Sequence, residues 1–210
     1  MHQPLFLFDL DGTLTQREIL PEIAVSLGLE EEMRLLTNLT LEGVLNFAQS
    51  LRLRFAILRS LHLAAIQEVV AAIPLEPSLE NFIKKHRKYC AVATGNVDAW
   101  IVPLRERLGC TFYCTTSTYD QTAELPALCH ILDKGELALQ LKEERTLVAI
   151  GDSDNDIPML KEADISIAYG AAHTPVSQVV LLADHAPCSA DEVITLMKDV
   201  LLRANRGVQD

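Results

Sequence analysis

The stretch Leu5-Phe-Leu-Phe-Asp-Leu-Asp-Gly-Thr-Leu-Thr15 constrains this chain most. Leu5 to Phe8 is a short unbroken apolar run, the pattern of a central parallel strand covered on both faces. It delivers Asp9 and Asp11 to its C-terminal end, where Gly12 lets the backbone turn away. In an open α/β sheet that end is the edge at which ligands bind. Carboxylates held this close repel each other unless a cation lies between them, and a turn after Asp9 separates their tasks. A surface Asp-x-Asp-Gly turn is the plainer alternative. The apolar strand running straight into the turn argues against it.

Such a sheet needs a core to pack on. With 210 residues, 49% apolar and 22% charged, the chain can bury one, with room for a small inserted domain. A net charge of −11 with no basic run argues against a general nucleic-acid or membrane-surface binder. The longest apolar stretches are strand-length, and the N-terminus has no basic region leading into an apolar one, so neither a membrane span nor a secretory signal is expected. Five cysteines without a CxxC pair are read as free thiols of a cytoplasmic protein; Cys110 and Cys114 make a poor zinc site.

From Thr15 to about residue 73 the periodicity is helical. Helices are expected over Glu18–Leu27, Glu30–Leu36, Phe47–Leu61 and Ala64–Ile73, stopped by Pro74 and Pro77. Strand and helix then alternate. Strands are expected at Tyr89–Ala93, Thr111–Cys114, Thr146–Ile150 and Ile165–Ala168. Between and after them lie helices over Leu79–His86, Asp98–Leu108, Gly135–Glu143, Asp156–Ala163, Val176–Leu182 and Asp191–Arg203. Residues 115–133 show no clean period. The reading is a three-layer α/β/α Rossmann-like parallel sheet, residues 1–14 and 74–210, with an all-helical cap inserted at 15–73. A helical block entering at the active edge is well sited to act as a lid.

The chemistry gathers at strand ends. After Asp9 and Asp11 comes Thr94-Gly95-Asn96, whose hydroxyl and N–H groups at the expected start of a helix suit an anion, although Thr94 alone fits a plain helix cap. Lys134 opens a helix, a position the dipole disfavours for a cation. Gly151-Asp-Ser-Asp-Asn-Asp156 is an oxygen-rich locus suited to Mg²⁺, and otherwise an acidic loop capping a helix. Together these describe a phosphoryl-transfer site: a carboxylate nucleophile, a second carboxylate as acid and base, a hard cation and a neutralising lysine.

The ordered set Asp9-Leu-Asp11-Gly-Thr, Thr94, Lys134 and Gly151-Asp152-(x)3-Asp156 resembles the haloacid dehalogenase-like superfamily. That resemblance implies Asp9 as nucleophile and Asp11 as general acid/base. Thr94, Gly95 and Lys134 would hold the phosphate, with Mg²⁺ on Asp9, Asp11 and Asp152 and Asp156 nearby. Within the superfamily the chain resembles the phosphoserine phosphatases. Glu18 matches the glutamate used there for the substrate ammonium and Arg54 the carboxylate-binding arginine. Phe47 falls on the apolar wall and Asn155 matches the asparagine of the last motif. Two departures stand out. Asn96 replaces the second glycine of Ser-Gly-Gly-Phe, and the 115–133 segment lacks an Asp-Gly hairpin. The expected partner is a small-molecule phosphate ester, L-phosphoserine first. A sugar, nucleotide or alcohol phosphate is the second choice, and a non-catalytic binding protein on the same fold the third.

Overall fold

Strict alternation along the first strand splits the core in two. In the computed structural model, which describes residues 3–119 and 125–206, β1 (Pro4–Phe8) sends Phe6 and Phe8 to one face and Leu5 and Leu7 to the other. The neighbours repeat the pattern. Val92 of β2 (Cys90–Val97) and Val148 and Ile150 of β5 (Thr146–Gly151) join the first face, while Ala91, Ala93, Leu147 and Ala149 join the second. α5 (Pro77–Lys85), α6 (Val102–Leu108) and α10 (Ala190–Arg206) cover the first face. α7 (Lys134–Lys142), α8 (Ile157–Glu162) and α9 (Ser177–Leu182) cover the second. Burial on both faces is why these strands read as continuous apolar runs.

The sheet order is β4-β3-β2-β1-β5-β6, where β3 is Thr111–Ser117, β4 Leu128–His130 and β6 Ile165–Ala168. All pairings are parallel except β3 with β4. The chain builds outward from β1 on one side, then returns to place β5 on the other. The C-terminal ends of β1, β2 and β5 therefore meet where the winding direction switches, the crevice that open α/β sheets use for ligands.

Four helices fill the interval between β1 and α5: α1 (Ile19–Leu27), α2 (Glu30–Leu41), α3 (Phe47–Leu58) and α4 (Leu63–Ala72). α3 opens with a capping box in which Asn46 and Gln49 satisfy each other's backbone N–H groups, and α1 closes on Gly28 at φ 70°. The ends of the segment are tied together. Gln16 N–H donates to the Pro74 carbonyl and Glu76 N–H to the Leu14 carbonyl, each at 2.8 Å. Leu58, Ile66 and Val70 pack into the first core face, and Phe55 stacks on Trp100 at 5.8 Å between ring centroids. α3 and α4 together have the length and composition of a bent span, but these residues are buried against the sheet core, and among the described residues no single helix is long and apolar enough to cross a membrane.

Three expectations need correction. β2 does not stop before Thr94: it runs through Gly95 and Asn96 to Val97, and the next helix begins only at Val102. Thr94-Gly95-Asn96 is therefore not a helix N-terminus. It is a bulge, because β2 advances from Thr94 to Val97 while β3 advances only from Cys114 to Thr115. Second, α2 continues to Leu41, its polar composition having hidden the last turn. Third, the segment 115–133 holds the end of β3 and the antiparallel edge strand β4, a pairing too short to show a period; residues 120–124 within it lie outside the described residues.

Candidate active site

The first carboxylate leaves β1 directly into a buried ion pair. Asp9 is 2% exposed, and its Oδ1 accepts a hydrogen bond from Nζ of Lys134, itself 4% exposed. Lys134 is the first residue of α7 because Asp133 caps that helix, accepting from Gly135 N and Glu136 N. The same Nζ donates to Asp156 Oδ1 at 2.6 Å. Asp156 Oδ2 accepts in turn from Asp152 N, Ser153 N and Ser153 Oγ, each at 3.0 Å. Both Asp156 oxygens are thus taken by protein donors. Gly151 makes this cradle possible, since a Cβ there would lie 2.6 Å from Asp156 Cβ.

Asp152, at the end of β5, is buried; its Oδ1 accepts from the Thr13 hydroxyl, and its Oδ2 has no hydrogen bond among the described residues. Oxygens of Asp9, Asp152 and Asp156 lie within 4.8 Å of one another. Three buried carboxylates gather here, and Lys134 pairs with two of them, Asp9 and Asp156. Burial, then Asp156, pushes Asp9 well above the usual carboxylate range, and burial pushes Asp152 up to about 7. For Lys134, burial works against the charge, but Asp156 and Asp9 outweigh it and the ammonium is held firmly. The excess negative charge and an Asp152 oxygen that no hydrogen bond among the described residues satisfies are what a hard divalent cation relieves, so the residues fit one.

Asp11 turns away from this cluster. Its Oδ1 accepts from Ile19 N at 2.7 Å and its Oδ2 faces Asn96 Nδ2 at 3.5 Å. Burial, then the Glu18 carboxylate, raises it to about 8, so it holds a proton at neutral pH. Asp9 and Asp11 together with Thr94, Gly95, Asn96, Phe47 and Asn155 line a cavity of about 60 Å³ at the sheet edge. Phe47, from the start of α3, presses on Gly95 so closely that a Cβ at that glycine would clash with the ring's Cζ, well inside van der Waals contact.

Lys134, Asp152 and Asp156 lie outside this lining, in the charged cluster next to Asp9, and Arg54 and Glu18 belong to neither. Arg54 is held within the helical segment, its Nε donating to Ser50 Oγ at 3.1 Å and its Nη2 to Thr37 Oγ1 at 2.9 Å; the Asp11 carboxylate acts on its charge from nearby. Glu18 Oε1 meets His173 Nε2 at 2.9 Å, and that nitrogen is also 3.3 Å from Asp152 Oδ2. Burial pulls the His173 ring down, but the Thr174 carbonyl and these carboxylates prevail and raise it. Glu18, Asp152 and His173 converge above Gly12, where a Cβ would come within 2.8 Å of Glu18 Oε1. Sequence reasoning missed His173 and Thr13. His173 does follow β6, so the strand-end rule that found the other groups points to its loop too.

Residues 6–161 match the model of the haloacid dehalogenase-like hydrolase family. The chain is 34% identical over 181 residues to a phosphoserine phosphatase of Methanocaldococcus jannaschii, an alignment covering 80% of this chain and 85% of that protein. It is 30% identical to phosphoserine phosphatase SerB2 of Mycobacterium tuberculosis, of which it spans only 44%. A solved structure described as a phospho-aspartyl intermediate analogue of phosphoserine phosphatase superposes with a TM-score of 0.74 at 27% identity, covering 93% of this chain and 99% of that one. A substrate-bound phosphoserine phosphatase complex gives 0.74 at 28% identity, with the same coverage. The chain belongs to the haloacid dehalogenase-like hydrolases.

Proposed function

We propose that this family member hydrolyses L-phosphoserine through a phosphorylated Asp9. The observation that carries the reading is the buried Lys134 bridge between Asp9, which lines the cavity, and Asp156, in a chain similar to phosphoserine phosphatases over most of its length. An Asp9 oxygen attacks phosphorus while the ester P–O bond breaks, and Asp11 gives its proton to the departing serine oxygen. Asp11, now a carboxylate, takes a proton from water as the water oxygen attacks the aspartyl-phosphate. Asp9 leaves as a carboxylate and inorganic phosphate is freed. The high position of Asp11 supports the acid role, because the proton it must donate is present at neutral pH.

Asp9, the Asp11 backbone carbonyl and Asp152 would hold a divalent cation, Mg²⁺ by the hardness of an all-oxygen set, which when bound offsets the repulsion between anionic nucleophile and phosphate. Asp156 acts one layer behind, fixing Lys134 and the Asp152 backbone. Thr94 and Gly95 face the phosphoryl oxygens. Residues 15–73 act as a cap over the catalytic core, 1–14 and 74–210, with Phe47 and Asn155 closing over the substrate. Glu18 takes the ammonium and Arg54 the carboxylate of the amino acid, a guanidinium fork being suited to a carboxylate. Arg54 lies outside the cavity lining, held by Ser50 and Thr37, so the cap moves to bring it to the substrate.

The hold of His173 on Glu18 favours one second reading, a small phosphate ester without an ammonium group. Steady-state kinetics with Mg²⁺ on L-phosphoserine, phosphothreonine, sugar phosphates and nucleotides decides between them. A large lead in kcat/KM for phosphoserine, lost in Arg54→Ala, supports the first reading. Mass spectrometry of acid-quenched enzyme should show one added phosphoryl group on the Asp9 peptide, and full turnover by Asp9→Asn would refute the mechanism.

A further inference from the structure

The bulge in β2 leaves an unspent proton. Gly95 and Asn96 are the two residues that β2 has in excess of β3, and they fold the chain back over the Thr94 side chain. Asn96 is 6% exposed and donates twice to Thr94 Oγ1, from its backbone N–H at 3.1 Å and from its side-chain Nδ2 at 3.1 Å. A threonine hydroxyl has two acceptor lone pairs and one proton. Asn96 fills both lone pairs. The proton has no acceptor among the described residues, and Thr94 lines the cavity beside Asp9. A second Nδ2 proton faces Asp11 Oδ2 in the 3.5 Å contact.

We infer that Asn96 is a positioning residue that commits the Thr94 hydroxyl to donate toward the substrate's phosphoryl oxygens while steadying Asp11. Resting on the phosphatase reading above, this gives a task to the side chain that occupies the place of a glycine. With glycine at position 96 the backbone N–H alone would address Thr94, and the hydroxyl could rotate to either remaining direction. With asparagine the hydroxyl is aligned before substrate arrives, so no reorientation is needed at the moment of reaction.

A double-mutant cycle tests this, using wild type, Asn96→Ala, Thr94→Val and the double variant. The substrates are L-phosphoserine and p-nitrophenyl phosphate, with circular dichroism as the folding control. The expected result is a fall in kcat of about a hundred- to a thousandfold in each single variant, the range found for losing one aligned donor. The fall should be similar on both esters, with KM changed less than about threefold, and the double variant should match Thr94→Val within about threefold. Multiplicative effects in the cycle would overturn the inference, as would a loss confined to KM for phosphoserine, which would mean that Asn96 reads the leaving group. If Asn96→Ala does not fold, Asn96→Asp keeps the volume but replaces the donor with an acceptor that recaptures the hydroxyl; full activity there overturns the proposal equally. Wild type inert toward both esters sinks the phosphatase reading itself, whereas an active enzyme with an additive cycle sinks only the role of Asn96.

Discussion

Replacing Lys134 by methionine removes the one ammonium shared by two buried carboxylates and keeps most of the side-chain volume. Nζ reaches both Asp9 and Asp156, and all three side chains are at most 3% exposed. Breaking a buried pair by deleting one partner costs about 3–5 kcal/mol, because the other charge is left unpaired in a medium that solvates it poorly. For a protein of this size, each kcal/mol corresponds to about 2–4 °C in Tm. Thermal unfolding in EDTA at pH 7 should therefore fall by about 6–20 °C in Lys134→Met. The deficit has a pH dependence of fixed sign. Burial and Asp156 already set Asp9 above its unfolded value, and losing Lys134 moves it higher. A carboxyl that binds its proton more tightly when folded penalises the native state above its unfolded pKa, and the penalty fades as pH falls through the folded pKa. The Tm difference between variant and wild type should accordingly shrink from pH 7 to pH 5. Equal melting at pH 7, or a difference that widens toward pH 5, would refute the electrostatic account of this site.

Gly95→Ala would place a methyl group against the Phe47 Cζ, closer than van der Waals contact allows, so KM for phosphoserine should rise several-fold as α3 is pushed off the edge, and Gly95→Ala with Phe47→Ala should recover most of the loss; no recovery would mean the glycine matters for its backbone alone. With Asp11 raised to about 8, the protonated acid is the active form, so kcat/KM should decline on the alkaline side of about pH 8; a profile flat to pH 9.5 would remove Asp11 from the acid role. Exhaustive EDTA treatment should abolish turnover and Mg²⁺ restore it. At a hundredfold excess over its Kd the ion should add about 2.7 kcal/mol of stability, read as a rise in Tm, and Asp152→Asn should erase that rise.

Much of the site was legible because its groups obey one positional rule. Asp9, Thr94 and Asp152 each follow an apolar run that both faces of a parallel sheet must bury, and ligands collect at such strand ends. Lys134 was legible by its helix-opening position beside Asp133. The sheet strands were readable as short apolar runs, and the four helices between β1 and α5 from helical periodicity; which strand residue meets which face was not. Asn96 was visible as an odd residue, but its task was not, because that task depends on a register slip against β3. Arg54 and Glu18 were named from the resemblance, but their partners in the fold were not legible, since their hydrogen bonds run to Thr37 and His173, 17 and 155 positions away.

What the sequence determined by itself is therefore the set of parts: an apolar strand ends in Asp9 and a turn that brings carboxylates to the sheet edge, and the chain order of the four motifs assigns them to a hydrolase family. The tertiary structure decided which charges face which. Asp9 and Asp11 are two residues apart yet diverge, one toward Lys134 and the other toward Ile19 and Asn96, because the chain leaves the strand after Asp9 into a turn closed on the Leu10 carbonyl. Burial then acts on each separately, since desolvation and neighbouring charge depend on distances in space that spacing along the chain does not encode.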